Sequence, residues 1–251
     1  VLFRSLFPKV VTWENYRSMW VDYNFAPYLK NSLIVAVSTT LISLLVATFL
    51  AYGISRFKFR GKKVVFNLLI LTQMFPLPLL IITIYVVFAR LGLIDSRAGL
   101  IISYCTFAIP FATMMLKSYF DGLPLELEEA AAIDGAGPWR ILWQIVVPCS
   151  VPVIATVVLF TSVGYWNEFF QGLVLMQRED MYPLQTYIKQ IVVQIPAGVT
   201  MTAEQYQRLA EQSNKSLEAA KVFIAMIPLL IVYPFLQKYF VNGITLGAVK
   251  E

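Results

Sequence analysis

The stretch LEEAAAIDGAGPWRILWQIVVP, residues 127 to 148, sets an acidic, alanine-rich, glycine-punctuated loop between two long apolar segments. With Glu126 just upstream, it gathers Glu128, Glu129 and Asp134 in a chain that is otherwise poor in charge. Pro124 can open a helix, because the N–H it lacks has no helical partner in the first turn, and Glu126 suits the positive pole of that helix. The pattern predicts a helix over 124–134, a left-handed stop at Gly135, and a turn and new start at Gly137 and Pro138. Trp139, Leu142, Trp143 and Val146 then recur at i, i+3, i+4 and i+7, the spacing of one apolar stripe, before Pro148 bends the chain into the next segment. Ala130, Ala131 and Ala132 give the first helix a small surface onto which another protein can press. The alternative is a merely solvated connection, which needs neither the small surface nor the tryptophans.

The rest of the chain explains where such a loop belongs. Hydrophobic residues make up 58% of the 251 positions and charged residues only 14%, against about a quarter charged in an ordinary soluble domain. A bilayer core about 30 Å thick takes about 20 apolar residues of helix. Five stretches meet or approach that length: 33–54, 64–89 with Pro76 and Pro78 inside, 98–116 with Pro110 inside, 145–167, and 219–241 with Lys221 and Lys238 near its ends. Such prolines read as kinked packing in preference to hinges, since neighbouring helices can satisfy the freed carbonyls. The fold class expected is all-α, a polytopic transmembrane helix bundle.

The net charge of +5 sits in short clusters flanking apolar runs, which argues against a nucleic-acid partner. The densest cluster, SRFKFRGKK at 55–63, places the first short connection on the cytoplasmic side. Alternation then puts 90–97 and 168–218 outside and 117–144 inside, with the aromatic N-terminal 1–30 on the outer face. Within the outer connection, TAEQYQRLAEQ at 202–212 suggests a short surface helix.

Absences narrow the chemistry. The chain has no histidine, which removes Ser-His-Asp and Cys-His catalysis and the commonest metal ligand. Cys105 and Cys149 lack metal-ligand spacing and read as packed thiols. No G-x-x-x-x-G-K-[ST] phosphate loop is present, so energy from ATP by that route must come from another chain. No catalytic residue, metal or cofactor is expected. A secondary transporter remains the alternative, but its ion-coupling carboxylates inside spans are missing apart from Glu168.

The spacing Glu129-Ala130-Ala131, three residues, Gly135, nine residues, Ile145, one residue, Val147-Pro148 resembles the EAA signature of permease subunits of bacterial ATP-binding-cassette (ABC) importers. Val147 stands where the family usually has Leu. NSLIVAVSTTLISLLVATFLAYGISRFKFRGKK at 31–63, GYWNEF at 164–169 and QKYFVNGITLGAVKE at 237–251 are similar to the smaller permease of carbohydrate importers of the maltose and glycerol-phosphate type. KSLEAAKVFIAMIPLLIVYPFLQKYFVNGITLGAVKE at 215–251 most resembles the lipoprotein-associated oligosaccharide branch.

The resemblance implies a type I ABC importer permease, one transmembrane domain over 1–251, in a bacterial cytoplasmic membrane. Its relatives have six spans, so one preceding 1–30 is expected beyond the five visible. It implies a second permease subunit as heterodimer partner, two ATPase subunits, an extracytoplasmic solute-binding protein and a sugar substrate, or another solute. The loop at 117–148 becomes the coupling element, with Glu128, Glu129, Ala130, Ala131, Asp134, Gly135 and Ala136 as ATPase-coupling residues. Glu129 is the expected charged contact and Gly135 the turn. Tyr165, Trp166, Asn167 and Glu168, at the end of the fourth stretch, are candidate substrate-path residues. Glu168 lies either on the path or at the outer interface, and for Tyr165 and Trp166 interface anchoring is the favoured alternative.

Overall fold

The computed structural model describes residues 13–21, 24–193, 219–228, 230–231 and 234. Among them the elements are helical: α1 Glu14–Val21, α2 Ala26–Arg56, α3 Lys62–Met74, α4 Leu77–Arg90, α5 Arg97–Asp121, α6 Glu126–Ile133, then α7 Pro138–Cys149. After these come α8 Val151–Asn167, α9 Phe170–Leu175, α10 Leu184–Val193 and α11 Ala219–Pro228. The expected surface helix at 202–212 and most of the fifth apolar stretch lie outside the described residues.

α2 and α5 form the spine, and α8 packs on both. Their contact explains why a membrane sequence looks inside out. Along α2 most of the buried positions are small or hydroxylic, among them Ala36, Thr40, Ser43, Ala47 and Ala51, while Leu33, Val37, Leu41 and Leu45 face outward. In lipid, helices gain nothing by hiding leucine from water, so small residues that let backbones approach take the interface. α5 answers with Ser103, Ala108 and Ala112, and Ser43 Oγ lies 3.5 Å from Cys105 Sγ. Cys105 is thus a packed thiol, as the spacing predicted. Pro110 sits buried inside an uninterrupted α5, also as expected of packing.

Two of the apolar stretches differ from the single spans expected. The 64–89 stretch is two helices, α3 and α4, bent by 104°. Phe75 and Pro76 are both extended (ψ 123° and 128°): the residue before Pro76 is driven out of the helical region, and Pro78 sits in the first turn of α4, where its missing N–H costs no helical bond. The 145–167 stretch breaks as well: α7 and α8 meet at 77°. That break falls at Ser150 (ψ 10°), ahead of Pro152, and not at Pro148. Pro148 instead follows a π-helical turn over Leu142–Val146, which widens the helix where proline would collide with the carbonyl four residues back. Residues 145–149 therefore belong to the loop's second helix, and the span begins at Val151.

The connections sort to opposite ends of the bundle. α2, α5, α6 and α7 meet at one end, the loop end, where Arg56 Nε contacts Glu128 Oε1 at 2.6 Å and Ser55 Oγ donates to Asp121 at 2.5 Å. At the far end Asn31 Nδ2 donates to the carbonyls of Asp180 (2.9 Å) and Tyr182 (3.1 Å), and Arg97 Nε donates to Asn31 Oδ1 at 3.0 Å.

Candidate functional site: the acidic loop and the bundle cleft

The loop folds as its local chemistry dictates, with a short correction at each end. α6 starts at Glu126, two residues after Pro124, with Glu126, Glu128 and Glu129 all in its first turn, where the helix dipole favours carboxylates. It stops at Gly135, whose φ is +82°. Gly135 N–H donates to the Ala132 carbonyl (3.0 Å) and Ala136 N–H to that of Ala131 (2.9 Å), the paired bonds of a Schellman stop. Gly137, extended at ψ 167°, and Pro138 then open α7.

The predicted coupling residues divide between two faces. Glu129, Ala130, Asp134 and Gly135 are exposed. Ala131 and Ala136 instead pack on the core formed by α2, α5 and α7, so the alanine surface offered outward is smaller than expected. Glu128 also turns inward: its side chain and that of Arg56 are only 12% and 11% exposed in their ion pair. This partner, 72 residues earlier, left no local signal in the sequence. Arg56 Nη2 is buried without a hydrogen-bond partner among the described residues.

The tryptophan stripe is corrected too. Ile141, Leu142 and Val146 are buried, whereas Trp139 and Trp143 are 68% and 46% exposed. Both rings meet Phe49 edge-on, at 5.5 and 6.0 Å. The wide π turn shifts the buried face by a residue, leaving the tryptophans at its margin.

The second region is a cleft of about 360 Å³ where the α3–α4 break, α5 and α8 converge. Phe107, Phe111, Phe160 and Tyr165 line it, with Gln73, Thr161, Glu168 and Gln171 among its polar residues. Non-helical backbone at membrane depth is tolerated where it borders a cavity, which fits Gln73 and Leu77 flanking the break. Glu168 is held from two sides. Tyr104 Oη donates to its Oε2 at 2.6 Å, and Gln171 N–H donates to Oε1 at 3.0 Å. Tyr165 stacks on Tyr104 with ring centroids 4.7 Å apart, and Ser103 Oγ donates to Gln171 Oε1 at 2.5 Å.

Of the candidate path residues, Tyr165 and Glu168 therefore line the cleft and the other two do not. Trp166 is buried at 4% exposure and donates Nε1–H to the Ala225 carbonyl at 3.0 Å, joining α8 to α11. Its helical phase turns it away from the cleft. Asn167 is exposed and donates to the Val163 carbonyl at 2.9 Å. Sequence reasoning missed Tyr104, Gln73 and Gln171, whose roles depend on helices distant in the chain.

Residues 39–246 match the family described as binding-protein-dependent transport system inner membrane component. The chain belongs to that family. It is thus a multi-pass inner-membrane permease of an ABC transporter. Among its relatives, LplC of Bacillus subtilis is 34% identical over 98% of this chain and 81% of that protein. The diacetylchitobiose uptake system permease NgcG of Streptomyces coelicolor is 31% identical over 94% of this chain and 74% of its own length. A solved bacterial ABC transporter involved in the import of the acidic polysaccharide alginate aligns with a TM-score of 0.78 at 29% identity, covering 94% of this permease and 82% of that chain.

Proposed function

We propose that this permease forms half of a translocation path for a sugar or oligosaccharide. The observation that carries the reading is the cleft: aromatic faces of Phe107, Phe111, Phe160 and Tyr165 around Gln73, Glu168 and Gln171. Flat apolar ring faces suit the C–H faces of a pyranose, while an oriented carboxylate and amides match its hydroxyls. The diacetylchitobiose relative and the alginate transporter support that substrate class.

In this reading the α6–α7 loop is cytoplasmic and docks on a separate ATPase subunit through Glu129, Ala130, Asp134 and the Gly135 turn. Glu128, Ala131 and Ala136 hold the loop to the bundle behind that surface. A second permease completes the path, two ATPase subunits supply ATP hydrolysis, and a solute-binding protein delivers the sugar. ATP closure moves the loop, and the free energy crosses to the cleft only if the loop binds the two states of the ATPase differently.

The test is the assembled transporter in proteoliposomes. Oligosaccharides presented with the binding protein should stimulate ATP hydrolysis and accumulate inside, and Glu168→Gln should weaken uptake. An Asp134→Cys variant should cross-link to the ATPase subunit. Stimulation by amino acids or ions alone would overturn the sugar reading, and uptake without any ATPase subunit would overturn the coupling.

A further inference from the structure

Two adjoining clefts at the loop end have no role in the reading above. The first, about 290 Å³, is an aromatic slot lined by Phe49, Tyr52, Gly53, Phe57, Trp139 and Leu142. The second, about 410 Å³, is bounded by Lys58, Phe59, Lys62 and Lys63. They share one segment of chain, since Phe57 closes the first and Lys58 opens the second. Phe49 and Phe57 are eight residues apart at the end of α2, so the slot runs about 12 Å along the side of a membrane helix.

The charge beside the slot is unbalanced. Lys58, Arg60 and Lys63 are exposed, and none forms an ion pair among the described residues. Lys62 donates to the Ser55 carbonyl at 3.3 Å and lies within Coulombic reach of Asp121, which already pairs with Lys117. Lys62 and Lys63 also occupy the first turn of α3, which carries no acidic residue and no side-chain cap. Cations at the positive pole of a helix repel it. An anion placed there relieves both strains, and hydrocarbon fills a narrow aromatic slot.

We propose that an anionic phospholipid binds here, its headgroup phosphate against Lys58, Lys62 and Lys63 and one acyl chain in the Phe49–Trp139 slot. A cytoplasmic partner could offset the charge with carboxylates, but it would not extend along 12 Å of helix flank toward the membrane interior, and a neighbouring span in place of the lipid is the outcome that the quenching below separates. The exposed Trp139 and Trp143 rings suit the same interfacial level.

The complete transporter, reconstituted in nanodiscs, tests this through quenching of Trp139, taken as the difference between wild type and Trp139→Phe. Brominated phosphatidylglycerol should quench at a several-fold lower mole fraction than brominated phosphatidylcholine. Lys58→Gln and Lys63→Gln should each weaken that preference about five-fold. Gly53→Leu should remove the quenching by either lipid, because a Cβ at Gly53 meets nothing within 4 Å and a longer side chain enters open space. Equal quenching by both lipids, unchanged by the lysine substitutions, would overturn the proposal. So would a Trp139 signal insensitive to every brominated lipid, which would mark a protein contact.

Discussion

At the far end of the bundle Asn31 alone joins α2, α5 and the 180–182 segment through three hydrogen bonds, while at the loop end the α6–α7 hairpin is tied to α2 by one ion pair. The far end continues in the same manner: Ser32 Oγ accepts from Leu184 N–H at 2.7 Å, and Asp95 accepts from the Gln177 and Arg178 backbones and from the Arg178 guanidinium. Beyond its ion pair the hairpin relies on a side-chain hydrogen bond between Tyr52 of α2 and Glu128, on the Tyr119 hydroxyl, which donates to the Cys149 carbonyl at 3.1 Å, and on apolar packing. The contrast teaches where force can enter. A region closed by many hydrogen bonds to backbone groups resists local displacement, whereas a hairpin whose polar ties to α2 converge on the single side chain of Glu128 presents a surface hinged at one point.

Breaking the loop-end tie should have the largest effect. Arg56→Met leaves the Glu128 carboxylate without its cation in a setting almost closed to solvent and should cost about 3–5 kcal/mol. The double variant Arg56→Met/Glu128→Leu should recover most of the loss. Thermal unfolding of the purified complex reads both, and equal losses in the single and double variants would mean that packing, not the ion pair, holds the hairpin.

At the far end, Asn31→Leu strips the donors from two carbonyls and the acceptor from Arg97, for about 1–3 kcal/mol by the same measurement. A loss matching that of Arg56→Met would erase the contrast between the ends. Next in size, Gly135→Val forces a β-branched residue into left-handed backbone at φ +82°, a strain of about 1–2 kcal/mol. Because nothing crowds that position, the damage stays in the turn: uptake should fall about ten-fold while membrane levels hold, and normal uptake would remove the turn from the coupling path.

The smallest effect concerns pH. Burial works to raise the Asp95 carboxyl, but the backbone N–H groups of Arg178 and Gln177 and the Arg178 guanidinium outweigh it and hold the group below its ordinary value. A depressed folded-state value means that the clasp contributes stability above the ordinary carboxylate range, about pH 4, and loses it as pH falls through the depressed value. Acid should loosen the far end in hydrogen-exchange measurements, and Asp95→Asn should lack that step.

Much of this was legible in local sequence because its causes are local. Apolar length set the membrane, and Gly135 followed by Gly137-Pro138 set the stop and restart of the loop, since each depends on backbone geometry within a few residues. Pro76 marked where the 64–89 stretch changes direction, yet Pro110 leaves α5 unbroken and the second break falls at Ser150, so the prolines alone fixed neither the breaks nor the 104° between α3 and α4. Likewise, the spacing of Trp139 and Trp143 gave a stripe, but the π turn decided which side of it was buried.

The candidate sites were half legible. GYWNEF placed Tyr165 and Glu168 side by side in the chain, but only α5, running past them, supplied Tyr104 to orient the carboxylate and stack on the ring. Composition could count the acidic residues of the loop without telling Glu128 from Glu129. By itself the sequence determined a membrane bundle with an acidic helical hairpin. Tertiary structure alone decided that Glu128 faces Arg56 and Glu129 faces out, because an ion pair across 72 residues exists only after α2 and α5 have packed and brought their ends together.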